Sequence, residues 1–467
     1  MQDGSEVVVK IPNPNAGPSH YVMASEVATM QYARESLQLP VPRVLSYCSH
    51  ASESRLGTEY IVMEKARGIE LSRKWDTLKG REKLSIVKQI ASIGSTLSRA
   101  EFPFYGALYR QEDVSELESM MIDETFAIGP LTGRSWHEDE RGEFDVYKGP
   151  WFYPADFIRD MALREKGCVE KFFPLFRDRQ QGFFNWYGDY RPTKEAKLSA
   201  LNDFLQIFKN ILPISDLLKV GTLWHGDLHG QNIFVDHDDP TKITSIIDWQ
   251  TVSIYPKFFA VCHPSLIEFD GPKPEQFVMP TLPEGFEDFD VKQKKVAKEL
   301  YLAQILWLSY ELQVSKDSSG FSRVFEYQDS LQAELLRLIG AVFDGGEPYI
   351  QRLLAIASRD EIWPKVVGED DDGNPKEPCP LYYSQRDLET QDQDFEKWAR
   401  DIERKQELLD EVGVSSGWDG DVPADQYDEL IRRLDVAKER FLNRASSTPE
   451  ERALWEKTWP FQDKTSS

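Results

Sequence analysis

Residues 224–235 read WHGDLHGQNIFV and residues 245–250 read SIIDWQ. Between and around two apolar, strand-like runs, NIFV and TSII, the chain places two His, two Asp and an Asn. Solubility does not need that set, and packing does not either. Phosphoryl transfer does. It asks a protein for a carboxylate that orients the acceptor hydroxyl, oxygen ligands for metal ions across the phosphates, and a lysine on the non-transferred phosphates. In this pattern Asp227 stands on a loop between strands and faces the acceptor. Asn232 opens the NIFV strand and turns its carbonyl oxygen to Mg²⁺, and Asp248 ends the TSII return as the main carboxylate ligand. His225 holds the turn through ring and backbone hydrogen bonds.

Working outward, residues 5–12 read as a strand, Tyr21 to Leu37 as a helix, and PVPRVLSYC and GTEYIVMEKA as two further strands. Helical periodicity follows over Lys79 to Ala100 and Lys194 to Leu212. Short strands are expected at KVGTLW, NIFV and TSIID, around the opening motif. Six prolines between 256 and 290 mark a long connecting loop. Helices resume near Val291–Gln313, Tyr327–Phe343 and Pro348–Ser358. Beyond an acidic loop, two charged helices carry little apolar area per turn and read as an appendage, and the last residues, QDKTSS, are expected to fray.

The bulk numbers bound the function. With 467 residues, 40% hydrophobic, the chain is long enough for two or three lobes with ample buried area. No uninterrupted apolar run approaches the length of a transmembrane helix. A formal charge of -24 opposes nucleic-acid backbones and anionic membranes as general partners. Cys48, Cys168, Cys262 and Cys379 are scattered, with no C-x-x-C pair, so neither a zinc cluster nor a disulfide framework is suggested.

The string H-G-D-x-x-x-x-N followed by I-I-D-W resembles the catalytic and metal-binding loops of the aminoglycoside phosphotransferase and choline kinase superfamily, which shares the protein-kinase-like fold. EVVVKIP resembles the strand that bears the phosphate-binding lysine, here Lys10, and Glu26 in ASEVATM its helix-borne ion-pair partner. YIVMEKARG resembles the hinge, where the backbone around Met63, Glu64 and Lys65 would bond adenine. More narrowly, KIPNPNAGPSHY, ASEVATM, EYIVMEKARG and IIDWQ are similar to the fungal family called altered inheritance of mitochondria protein nine. That likeness covers residues 4 to about 360.

The resemblance implies an α+β, protein-kinase-like two-lobe fold: a mixed α/β N-lobe over 1–67, a mainly helical C-lobe over 68–360 bearing both loops, and an acidic loop with a charged helical extension over 361–467. It implies ATP and Mg²⁺ as cofactors, a small-molecule hydroxyl as acceptor, His229 near the γ-phosphate, and a mitochondrial location, with the cytoplasm as the other address. No presequence is expected from the opening MQDGSEVVVKIPNP. Only nine residues precede Lys10, where the family has a glycine-bearing hairpin. The N-lobe is therefore expected to be partial, through a truncated gene or a real loss. Gly226, His229 and Gln250 stand where protein kinases carry Arg, Lys and Gly, which fits the small-molecule branch. A non-catalytic pseudokinase or scaffold is the reading from a different class, motivated by the partial N-lobe and the charged extension.

Plainer readings stand beside these. His225 and His229 at i and i+4 do not make a zinc helix, because Gly226 and Gly230 disfavour the helix and the Glu is missing. Trp249 reads as packing. The cluster GPWFYPADFIRD, with Trp136 and His137 upstream, reads as core rather than as an acceptor pocket. Glu369 to Asp372 lacks the alternation of a calcium loop.

Overall fold

Three β-branched residues in succession favour extended backbone, and the first strand, β1, spans Val7–Lys10. The computed structural model describes residues 6–12, 17–137, 139–142, 144–173, 188–275, 278–317, 320–414, 427–457, 459 and 461. Residues 5 and 13–16 of the stretches read above, residues 415–426 of the charged extension, and the tail from 462 onward lie outside the described residues. The described chain forms two compact units, Met1–Phe157 with Pro213–Ala333, and Ile158–Leu212 with Glu334–Ser467.

In the first unit β1 is followed by the helix α1 (Ser19–Gln31), then by β2 (Val44–Cys48) and β3 (Tyr60–Glu64). This is the expected strand, helix, strand, strand order. β3 is central, antiparallel to β1 on one side and β2 on the other, with Lys10 opposite Ile61 and Val7 opposite Glu64. β4 (Ile69–Glu70) pairs with β10 of a second small sheet. A third sheet draws on β5 (Glu101–Phe102), β6 (Gly106–Arg110), β7 (Met120–Met121), β8 (Phe126–Gly129), β9 (Gly221–Trp224) and β12 (Ser253–Pro256), in the order β5-β9-β12-β6-β8-β7. β10 (Ile233–Val235) and β11 (Ile243–Ile246) form the antiparallel return between the two motif loops. The strands between 101 and 129 lie where the sequence shows no clear strand signal, because each has only two to five residues.

α1 has no solvent face along its middle: Val22 to Met30 are all buried. It packs on β2 and β3 and also on β6. Small residues allow this, with Ala24 packed among Ala107, Tyr109, Val114 and Ala127. A helix enclosed in this way tolerates a charge only if the charge is paired, and Glu26 sits in the enclosed stretch. Gly68 permits another close approach. Its φ is +96°, and a Cβ there would lie 2.0 Å from the carbonyl oxygen of Val235, so only glycine lets β4 reach β10.

The helix expected over Tyr327–Phe343 is divided. One helix ends at Gln328, and a second, Leu331–Leu338, starts where the Ser330 hydroxyl accepts a hydrogen bond from the Ala333 amide at 3.2 Å. Helix Val291–Asp317 runs longer than expected. The cluster around Trp151 is core: Trp151 and Trp136 are 2% exposed and their rings lie 5.4 Å apart. Phe152 and Tyr153 of the same stretch face solvent.

In the second unit, helix Lys194–Ile207 packs on helix Glu347–Ala357, which also packs on helix Gln385–Val412. Lys197 and Glu347 are fully buried and meet at 3.0 Å. Lys197 Nζ also donates to the Val342 carbonyl at 2.6 Å, and Tyr190 donates to the other Glu347 oxygen at 2.6 Å. The charged C-terminal helices have a core of their own, with Leu408 and Val412 packed with Leu430, Phe441, Leu442 and Trp455. The acidic loop is a turn in which the Asp370 carboxylate accepts from the amides of Asp372 and Asn374.

Removing one partner of a buried pair strands the other charge. Lys197→Ala should therefore lower the unfolding free energy by about 3–5 kcal/mol, whereas the paired change Lys197→Met with Glu347→Leu should recover most of the loss. Denaturant unfolding of the three chains measures both. A loss under about 1 kcal/mol in the single variant would mean that the pair is not structurally important.

Candidate active site

β9 ends at Trp224 and delivers the chain to His225, which is 2% exposed. Its Nε2 lies 3.0 Å from the Ile247 carbonyl, and its Nδ1 accepts from the Asp227 amide at 3.4 Å. One neutral tautomer satisfies both bonds, with the proton on Nε2. Burial pushes the His225 pKa below its ordinary value, against the pull of the Ile247 bond and of Asp227 and Asp248. The ring therefore ties the loop of Asp227 to the residue before Asp248. A second tie runs from the Ile247 amide to the Asn232 carbonyl at 3.0 Å. Trp249 is fully buried, donates to the Ile246 carbonyl at 3.1 Å, and meets His225 edge to face at 4.8 Å. Its burial reverses the chain and leaves Asp248 at φ 62°, a left-handed conformation that Asp tolerates better than most residues.

Asn232 is 6% exposed. Its Nδ2 donates to the Asp227 carbonyl at 3.0 Å and to Asp227 Oδ2 at 3.2 Å, and lies 3.0 Å from His229 Nε2. The amide nitrogen is thus committed to the Asp227 loop, which leaves the amide oxygen as the group to offer elsewhere. Neutral His229 accepts at Nδ1 from the Gln231 amide at 3.2 Å, and its Nε2 lies 3.5 Å from Asp227 Oδ2. His229 holds the Asp227 carboxyl below its ordinary pKa, and Asp227 in turn raises His229 above its own. The loop is seated by Gly230, whose carbonyl accepts from the Ser72 amide at 2.8 Å. A Cβ at Gly230 would come within 3.1 Å of the Ser72 backbone.

Lys10 brings the two ends of the motif order together. Its Nζ lies 2.7 Å from Glu26 Oε1 and 3.2 Å from Asp248 Oδ1. Burial alone would lower the Lys10 pKa, but Glu26 and then Asp248 raise it, so the net direction is upward. Burial likewise pushes the Glu26 carboxyl up, and Lys10 opposes that shift. The reactive ends stay open, with the Asp227 and Asp248 side chains 66% and 45% exposed.

Met63, Glu64 and Lys65 lie at the end of β3, one strand over from Lys10. The Glu64 amide is spent on the Arg43 carbonyl at 2.9 Å. Its carboxylate lies 3.3 Å from Arg43 Nε and 3.8 Å from Arg34, while Lys65 pairs with Glu6 at 3.0 Å. The side chains of this segment thus serve the sheet. Sequence reasoning overlooked residues 262–269, where the Leu266 amide bonds the Leu228 carbonyl at 3.3 Å and Cys262 Sγ lies 3.9 Å from the Gly226 carbonyl. The Pro-rich composition signalled only a loop.

Among the described residues no three His, Cys, Asp or Glu side chains converge to hold a metal ion. Asp248 and the Asn232 side-chain amide oxygen are two hard oxygen donors, which suits Mg²⁺, an ion that keeps several waters and takes one or two carboxylates plus substrate phosphates.

Residues 2–259 match the phosphotransferase enzyme family, more than half of the chain, and the chain belongs to that family. A subtelomeric hrmA-associated cluster protein of Aspergillus fumigatus is 26% identical in an alignment covering 99% of this chain and 93% of that protein. Altered inheritance of mitochondria protein 9, mitochondrial, of Yarrowia lipolytica is 22% identical, covering 92% and 74%. The protein of the same name from Saccharomyces cerevisiae is 24% identical, covering 92% and 71%. A crystal structure of a thermostable mutant of aminoglycoside phosphotransferase APH(4)-Ia, apo form, is 13% identical and covers 76% of this chain and 88% of that one. Its TM-score is 0.30. The family match and the order of elements establish the α+β, protein-kinase-like fold expected from the sequence.

The two histidines of the motif should titrate on opposite sides of 6.5 in the metal-free protein, His225 below and His229 above. NMR titration of the imidazole protons reads this, and Asp227→Asn should bring His229 down. Mutual stabilisation of His229 and Asp227 is present where both are charged. It fades as pH falls through the lowered Asp227 pKa and as pH rises through the raised His229 pKa. An unmoved His229 in Asp227→Asn would refute the pairing.

Proposed function

We propose that this chain transfers the γ-phosphoryl group of ATP, in the presence of Mg²⁺, to a hydroxyl of a small molecule. The observation that carries the reading is Lys10 Nζ held between buried Glu26 and open Asp248. One cation is thereby fixed between an enclosed carboxylate and an open one, as grasp of a nucleotide phosphate and its metal requires.

Lys10, oriented by Glu26, binds the non-transferred phosphates. Asp248 and the Asn232 side-chain amide oxygen would hold Mg²⁺, which when bound would draw charge from the phosphate oxygens. Asp227 accepts the hydrogen of the acceptor hydroxyl as the new P–O bond forms and the bond to the leaving ADP oxygen breaks. Its lowered pKa keeps it ionised for that purpose. His229, charged more readily than an ordinary histidine, faces the transferred group. The Met63–Lys65 segment receives adenine through backbone groups other than the Glu64 amide. The names of the two yeast relatives support a mitochondrial address. Failure of a tagged full-length chain to co-localise with a mitochondrial marker would remove that support.

Calorimetric titration of Mg·ATP should show binding by the native chain and none by Asp248→Ala. Asp227→Asn should keep nucleotide binding and lose roughly 10²–10⁴-fold in turnover of an accepted hydroxyl compound. Binding unchanged by Asp248→Ala would remove the metal assignment. Absence of binding by the native chain would favour a non-catalytic scaffold.

A further inference from the structure

Outside the site, one cluster places a cation in a prepared setting. Phe269 and Trp307 stand at 84° with ring centroids 6.0 Å apart, forming an open corner of two half-buried rings. The Lys273 ammonium occupies it, 3.8 Å from the Phe269 centroid and 4.3 Å from the Trp307 centroid, and donates to the Phe269 carbonyl at 2.8 Å. Burial lowers the Lys273 pKa, while Glu268 and Asp270 pull it up. Two π faces, a carbonyl and carboxylates together make a cation site.

Both walls and plug are built rather than incidental. Trp307 is held from behind by His263, stacked at 3.6 Å and 12°, and its indole donates to Glu311 at 2.9 Å. Glu311 also bonds His263 at 3.0 Å. Lys273 sits between Pro272 and Pro274, whose rings narrow the backbone choices around it. The Pro272 carbonyl accepts from Gln304 of helix Val291–Asp317 at 2.9 Å. Gly271, at φ +131°, brings the strap so close to Leu300 that a Cβ would lie 3.1 Å from its Cδ1. Lys273 is exposed overall, yet burial against the corner weighs against its charged form. The wall segment is the one whose Leu266 amide bonds the Asp227 loop at Leu228.

We propose that Lys273 is a tethered occupant of an organic-ammonium site formed by Phe269 and Trp307, and that withdrawing its side chain opens the corner to an alkylammonium ligand. The inference needs no phosphoryl transfer and is tested without nucleotide. The probe is tetramethylammonium chloride, titrated at constant ionic strength against sodium chloride. The readout is the Trp307 indole N–H resonance, assigned from Trp307→Phe.

Lys273→Ala and Lys273→Ser should bind the probe about tenfold more tightly than the native chain. Lys273→Arg, which keeps a cation in the corner, should stay at the native level, and adding Phe269→Ala to Lys273→Ala should abolish the gain. Folded Ala or Ser variants that bind no better than the native chain would overturn the proposal. Should both variants fail to fold, Lys273 is a structural staple and the proposal falls as well.

Discussion

Lys10 leaves the end of a short strand and meets two carboxylates far apart in the chain, Glu26 at 2.7 Å and Asp248 at 3.2 Å. The first is enclosed, for α1 is buried along its middle and the second oxygen of Glu26 has no hydrogen-bond partner. All compensation for that buried charge therefore comes through Lys10, and an uncompensated carboxylate there would be costly. The pair thereby links the end of β1 to the enclosed middle of α1. Asp248 then finds a cation waiting without having to be buried itself.

The two loops obey the same division of labour. Buried side chains do the holding: His225 and Trp249 tie the Asp227 loop to the residues before Asp248, and Asn232 commits its nitrogen to Asp227. Exposed side chains are left with free oxygens. A carboxylate fixed by its backbone but open to solvent pays little desolvation before a ligand arrives, and it needs little reorganisation afterwards. In the second unit, Lys197, Glu347 and Tyr190 are buried together and satisfy one another. They hold helices in place and present nothing to solvent.

Legibility in the sequence followed the length and context of each signal. The strand, helix, strand, strand opening and the strands beside the motif were readable, since β-branched runs bounded by turn residues carry their own evidence. The third sheet was not readable over 101–129, because strands of two to five residues are made by their partners rather than by propensity. The division at Ser330 was also missed, since a serine there looks like an ordinary surface residue until its hydroxyl caps a helix. Glu64 stood in a hinge-like stretch, yet its amide and carboxylate are engaged by Arg43. The corner joins Phe269, in a stretch that read only as a Pro-rich loop, to Trp307 on helix Val291–Asp317, and only the fold brings the two together.

From the sequence alone came the identity and order of the chemical groups: a lysine on a strand, a glutamate in a helix, then Asp227, Asn232 and Asp248 at fixed spacings on short turns. Local backbone geometry is enough for that, because residues a few positions apart across a tight loop must lie near each other. The tertiary structure alone decided that Lys10 and Asp248, 238 residues apart in sequence, touch. It also decided which groups are sheltered and which are open. Burial and long-range contact depend on how sheets and helices enclose one another, and no local spacing encodes that enclosure.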